Sequence, residues 1–144
     1  MLMAAERSKR EDEINRLFYL QSLYNQQYEA LMGEITNLGV AQAALDRNMQ
    51  LLNNKDSMKG ANILVSGEGG TYFEASVKGI NKLMTYVGAG YLVEMDVEKA
   101  KEFITENMET SRGTLEKLAG EKQKLENEIM RVQYAIESMQ QQGQ

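Results

Sequence analysis

The sequence predicts a mainly α fold: a long antiparallel two-helix coiled coil whose helices are joined by two β-hairpins. Three features predict it: a heptad stripe toward each end, a glycine-punctuated stretch of strand-like segments between them, and a complete absence of proline. Proline breaks helix interiors, so a 144-residue chain without one is most simply a chain built on long helices. The expected division places an N-terminal coiled-coil helix in residues 1–59, a two-hairpin oligomerisation region in 60–95, and a C-terminal coiled-coil helix in 96–144.

From Ile14 onward, apolar residues recur at alternating spacings of three and four. The a positions are Ile14, Gln21, Tyr28, Ile35, Gln42 and Met49; the d positions are Leu17, Tyr24, Leu31, Leu38, Leu45 and Leu52. All but the two glutamines are apolar or aromatic, and a strand cannot produce this period. The C-terminal third repeats the pattern, with Met108, Leu115, Lys122, Ile129 and Ile136 at a and Ile104, Ser111, Leu118, Leu125, Val132 and Met139 at d. Asp96 is the expected N-cap of this second helix, with Glu98 favoured in its first turn by the helix dipole. The helices are expected over residues 8–55 and 97–141, each roughly 65–70 Å long at ~1.5 Å per residue.

Two seams of matched length fold back on each other. A turn centred near residue 76 makes facing residue numbers sum to about 153, setting Leu45 against Met108, Leu38 against Leu115 and Leu17 against Ile136. The same register sets Gln42 against Ser111, polar on polar. It also requires Lys122, opposite Leu31, to carry its charge outward to water. Gly33 and Gly39 fall level with Gly120 and Gly113. Glycine weakens a helix interior by about 1 kcal/mol relative to alanine. These positions therefore read either as a soft zone in both helices or as tolerated outer-face substitutions.

Between the helices, Ile63–Ser66 and Thr71–Val77 read as strands around the turn Gly67-Glu68-Gly69-Gly70. Leu83–Val87 and Tyr91–Met95 read as a second pair around Gly88-Ala89-Gly90. Hairpins this short are barely stable alone and leave open edges. The expected cover is other subunits, meeting Ile63, Val65, Tyr72, Phe73, Val77, Leu83, Tyr86, Val87, Tyr91 and Val93.

Composition excludes several functions. A charged fraction of 26% beside 42% hydrophobic residues fits a folded rather than a disordered chain. The net charge of −5 argues against nucleic acid as a partner, and hence against an RNA-clasping arm. The one basic patch, Arg7, Lys9 and Arg10, runs at once into Glu11, Asp12 and Glu13 and reads as a solvated helix start. No apolar run reaches the ~20 residues that span a bilayer, and the N-terminus is charged too early for a secretory signal, so a cytoplasmic protein is expected. With no cysteine or histidine, thiolate and imidazole chemistry are absent. Glu121, Glu126 and Glu128 could offer oxygen ligands, but they lie in no calcium-loop spacing. Gly88-Ala89-Gly90 lacks the dinucleotide and phosphate-loop fingerprints and reads as a hairpin turn. No enzyme, cofactor or metal is expected.

The segment Val87-Gly88-Ala89-Gly90-Tyr91-Leu92-Val93-Glu94-Met95-Asp96-Val97-Glu98-Lys99-Ala100, set between long helices after a first hairpin, resembles the second hairpin and helix start of alpha-class prefoldins. Ile63-Leu64-Val65-Ser66-Gly67 is similar to their first hairpin, with serine where they usually carry proline and a first turn that departs from glycine-alanine-glycine. The resemblance implies hairpins that join into an oligomeric β-barrel, either with beta-class prefoldin subunits or with copies of the chain itself. It also implies ATP-independent capture of unfolded proteins by coiled-coil arms and their transfer to a group II chaperonin. The alpha-related gamma type, which self-assembles into filaments, implies a scaffold role instead. For capture, an arm needs adaptable apolar contacts at its free end. Phe18, Tyr19, Leu20 and Leu23 on the first helix, Met130 and Tyr134 on the second, and Met1, Leu2 and Met3 at the start are the residues expected there.

Overall fold

The computed structural model describes residues 2–142. Its elements are α1 (Leu2–Asn53), the single turn α2 (Lys55–Met58), β1 (Asn62–Ser66), β2 (Tyr72–Ser76), β3 (Lys82–Gly88), β4 (Tyr91–Asp96) and α3 (Val97–Gln142). Helix α1 starts six residues before the predicted point. The prediction followed the seam, whereas Leu2–Arg10 is helical on propensity, being rich in Ala, Leu, Met, Glu, Arg and Lys.

Every predicted seam position on either helix is buried or half-buried. The chain divides into two compact units, Met1–Gly39 with Gly113–Gln144, and Val40–Arg112. In the first, Leu17, Val132 and Ile136 are buried together, with Leu20, Tyr24, Ala135 and Met139 packed around them. Arg10 donates from Nη1 to the Gln142 carbonyl at 3.5 Å, and the Tyr28 hydroxyl donates to Glu126 Oε1 at 3.2 Å. These contacts put the antiparallel pair in the predicted register. Lys122 does not simply reach for water: its Nζ lies 3.8 Å from Glu126 Oε1, the same oxygen that accepts from Tyr28.

In the second unit, Leu52, Ala100 and Ile104 form the buried cluster, joined by Leu45, Met49, Ile80, Leu83, Met95 and Met108. Leu45 and Met108 thus share one cluster, as the register requires. Ser111 Oγ is buried without a hydrogen-bond partner, so the apolar layers rather than a Gln42–Ser111 bond hold the register. A Cβ added at Gly33, Gly39, Gly113 or Gly120 meets nothing within 4 Å, so close packing does not require glycine at any of them.

At the end of α1 the Asn54 side-chain amide donates to the Gln50 carbonyl at 3.0 Å, and the Ser57 hydroxyl donates to the Asn54 carbonyl at 2.7 Å. β1 pairs with β2 and β3 with β4, both antiparallel, as two separate two-stranded sheets. The Asp96 carboxylate accepts from the Lys99 backbone N–H at 2.8 Å, which makes it the N-cap of α3 as predicted.

Candidate functional site

Side chains alternate across a strand, and directly opposed residues share a face. In the first hairpin Ile63 stands opposite Ala75 and Val65 opposite Phe73, so one face is wholly apolar. It is uncovered, with Phe73 63% exposed. The other face carries exposed Leu64 and Tyr72 among Asn62, Ser66, Glu74 and Ser76. No side chain of β1 or β2 joins either buried cluster. What ties the hairpin down is backbone: the Gly60 N–H donates to the Val77 carbonyl at 2.7 Å and the Val77 N–H to the Ala61 carbonyl at 2.9 Å.

The second hairpin differs. Leu83 stands opposite Met95 and Thr85 opposite Val93, and Leu83 and Met95 pack onto Leu52, Ala100 and Ile104. The opposite face presents exposed Met84, Tyr86 and Leu92. A bulge between Tyr86 and Gly88 interrupts the alternation at Val87. Gly88 then pairs with Tyr91, leaving Ala89 and Gly90 as a two-residue loop with φ of 52° and 82°. Positive φ at both central positions matches the type I′ turn that suits strand twist. The Gly90 N–H donates to the Tyr86 hydroxyl at 3.4 Å, which holds that ring over the turn.

Among the residues expected to meet other subunits, Ile63, Val65, Tyr72, Phe73, Tyr86, Val87, Tyr91 and Val93 are exposed. Val77 is half-buried with its backbone committed to Gly60 and Ala61. Leu83 is half-buried, packed against the Leu52–Ala100–Ile104 cluster of its own chain. Sequence reasoning missed Leu64, Met84 and Leu92, whose exposure of 67%, 62% and 59% equals or exceeds that of most residues it chose.

In the first compact unit, Phe18, Tyr19, Leu23, Met130 and Tyr134 are exposed, and Leu2 and Met3 are helical and more than four-fifths exposed. Met1 lies outside the described residues. Leu20 is half-buried and packs on the Leu17–Val132–Ile136 cluster. The exposed residues do not converge on one face. Their heptad positions put Phe18 and Met130 on one flank of the pair, Leu23 on the other, and Tyr19 and Tyr134 on the outer backs.

Arg16 donates to both Glu13 oxygens at 2.6 and 3.1 Å, holding that carboxyl below its usual range and raising the guanidinium. The cause is a bidentate ion pair on an exposed helix face, not burial in a pocket. Among the described residues no group of three or more carboxylates is placed to hold a metal ion.

The Prefoldin subunit family model matches residues 24–142; Phe18–Leu23 precede the matched region. The chain is similar to prefoldin subunit alpha of Methanococcus vannielii, 26% identical over 127 residues that cover 88% of this chain and 85% of that protein. It is also similar to prefoldin subunit alpha of Methanosarcina mazei, 28% identical over 133 residues that cover 85% and 94%. Among solved structures, a chain in the cryo-EM structure of filamentous PFD from Methanocaldococcus jannaschii superposes with a TM-score of 0.54 at 24% identity, over 83% of this chain and 93% of that one. That likeness establishes the fold. Paired helices, two hairpins with uncovered apolar faces, and a family match over most of the length lead to one conclusion: the chain belongs to the prefoldin family.

Proposed function

We propose that the chain is an alpha-class subunit of a non-enzymatic, ATP-independent chaperone that captures unfolded polypeptides and passes them to a group II chaperonin. Residues 60–95 supply the assembly surface, meeting beta-class subunits or further copies, and the helices on either side supply the capture surface. The observation that carries this reading is the double exposure of apolar side chains. The hairpins expose Phe73, Met84, Tyr86 and Leu92, and the remote helix ends expose Phe18, Tyr19, Met130 and Tyr134. One apolar set suits assembly and the other suits clients. Each buried Phe or Leu contributes about 1.5–3 kcal/mol, so single contacts are weak and reversible, and several subunits acting together multiply them. A cytoplasmic setting fits the lack of cysteine and the lack, among the described residues, of a helix long and apolar enough to cross a membrane.

Replacing Phe18, Leu23 and Tyr134 together with serine tests capture. The expected result is an oligomer of unchanged mass with at least tenfold weaker suppression of client aggregation, an energy of about 1.4 kcal/mol. Full activity with an intact oligomer would remove these residues from the mechanism.

A second reading is a self-assembling filament subunit. Its support is the likeness to a chain of a filamentous archaeal assembly, together with hairpin faces that are apolar enough to meet their own kind. Size-exclusion chromatography with light scattering on the pure chain separates the two readings. Open-ended growth favours filaments, and a discrete species completed only by a beta-class subunit favours the chaperone.

A further inference from the structure

We propose that the basic, helical N-terminal turns of a second copy of this chain dock into an apolar groove between α1 and α3. The groove has a volume of about 470 Å³, within the ~300–1,000 Å³ that ligand-holding clefts span. Its floor is Leu31 and Leu125, which are half-buried d positions, with the small side chain of Ala30 leaving one wall low. Its rim carries Glu34, Glu121 and Glu128 against a single cation, Lys124. Glu128 is shared with Arg131 at 3.4 Å, whereas Glu34 and Glu121 make no ion pair among the described residues. The opening is therefore apolar inside and acidic outside.

The chain carries the complementary object. Leu2 and Met3 are 81% and 83% exposed at the start of α1. Met3, Arg7 and Arg10 follow one another at helical spacing on one face, with Leu2, Lys9 and Glu6 beside them, ahead of Glu11, Asp12 and Glu13 in the next turn. Arg7 and Lys9 make no ion pair among the described residues, and Arg10 is engaged only by the Gln142 carbonyl. An amphipathic helix laid in a groove uses apolar anchors for affinity and flanking charges for register. Here Leu2 and Met3 would meet the Leu31–Leu125 floor while Arg7 and Arg10 meet Glu34 and Glu121. The occupant has to be another copy. α1 is continuous from Leu2 to Asn53, and at ~1.5 Å per residue its first turns stand about 40 Å from the groove of their own chain. Both partners lie apart from the hairpins, so this contact stands independently of hairpin assembly.

Because the chain has no cysteine, crosslinking reads the contact cleanly. A chain carrying Glu6→Cys is mixed with a size-tagged chain carrying Ala30→Cys, and the pair is treated with a short bismaleimide. Ser22→Cys, on the exposed outer face of α1, serves as the control position. The Ala30 chain should give about fivefold more mixed dimer than the control; Glu34→Lys with Glu121→Lys should remove that excess, and Arg7→Glu with Arg10→Glu on the other chain should restore it. All arms are repeated with Phe73→Ser in both chains, so that hairpin contacts cannot create the signal. Control-level yield, yield indifferent to charge reversal, or preferential capture of an unfolded cysteine-bearing client at Ala30→Cys would overturn the proposal; the last would make the groove a client site.

Discussion

The two hairpins are alike on paper and differ in what supports them. Each is a pair of short antiparallel strands around a glycine-containing turn. The second lays Leu83 and Met95 on the buried cluster of Leu52, Ala100 and Ile104 and closes with a two-residue loop. The first contributes nothing to any buried cluster and closes through a longer turn with a single 3₁₀ turn at Glu68–Gly70. An apolar hairpin face left uncovered in its own chain is stable only when something else covers it. The second hairpin is therefore supported by its own chain, and the first is left for the proposed assembly to cover.

Side-chain truncation gives the largest contrast. Leu83→Ala removes packing from the buried cluster and should destabilise the chain by about 2–4 kcal/mol in denaturant unfolding. Phe73→Ala should leave that stability within about 0.5 kcal/mol while weakening self-association or subunit exchange at least tenfold. Equal effects of the two substitutions on stability would erase the distinction. Hydrogen exchange sharpens it: in unassembled chain, amides in β1 and β2 should exchange at least tenfold faster than those in β3 and β4, and assembly should slow the first set most. The smallest effect concerns the turns. Ala89 holds a φ of 52° without being glycine, so Ala89→Gly should stabilise the second hairpin by about 1 kcal/mol, measured as a shift in the unfolding midpoint. In the first turn Gly69 and Gly70 hold φ of 71° and 83°, and Gly67 serves space instead. A Cβ on Gly67 would stand 2.7 Å from Phe73 Cε2 and 2.9 Å from Thr71 Oγ1, so Gly67→Ala should disturb the first hairpin alone.

Much of this was legible because heptads and alternation are periodic signals, and periodicity survives ignorance of the partner. The seam from Ile14 to Leu52, the four strands and the Asp96 cap all follow from spacing or from one residue's local chemistry. What spacing cannot reveal is which of two surfaces claims an apolar side chain. Leu20 and Leu83 carry the same apolar signal as their exposed neighbours and pack partly on their own chain. Leu64, Met84 and Leu92 are outward-facing and were passed over. The bulge at Val87 changes strand phase with no composition mark. Nor does spacing say whether two polar seam residues bond: Gln42 and Ser111 are level in the register, and the Ser111 hydroxyl has no hydrogen-bond partner. The capture residues were chosen on apolar surplus alone, and that criterion cannot order them around a helix pair.

Asp96 closes β4 and caps α3 in the same residue, so no linker separates the last strand from the first helical turn. Rotation of that strand is therefore geared directly to rotation of the helix: inserting one residue after Asp96 would turn every later side chain by about 100° and swing the apolar stripe off its mate. The joint behaves as a keyed shaft, in which the orientation of the second hairpin sets the angle at which α3 offers its apolar stripe.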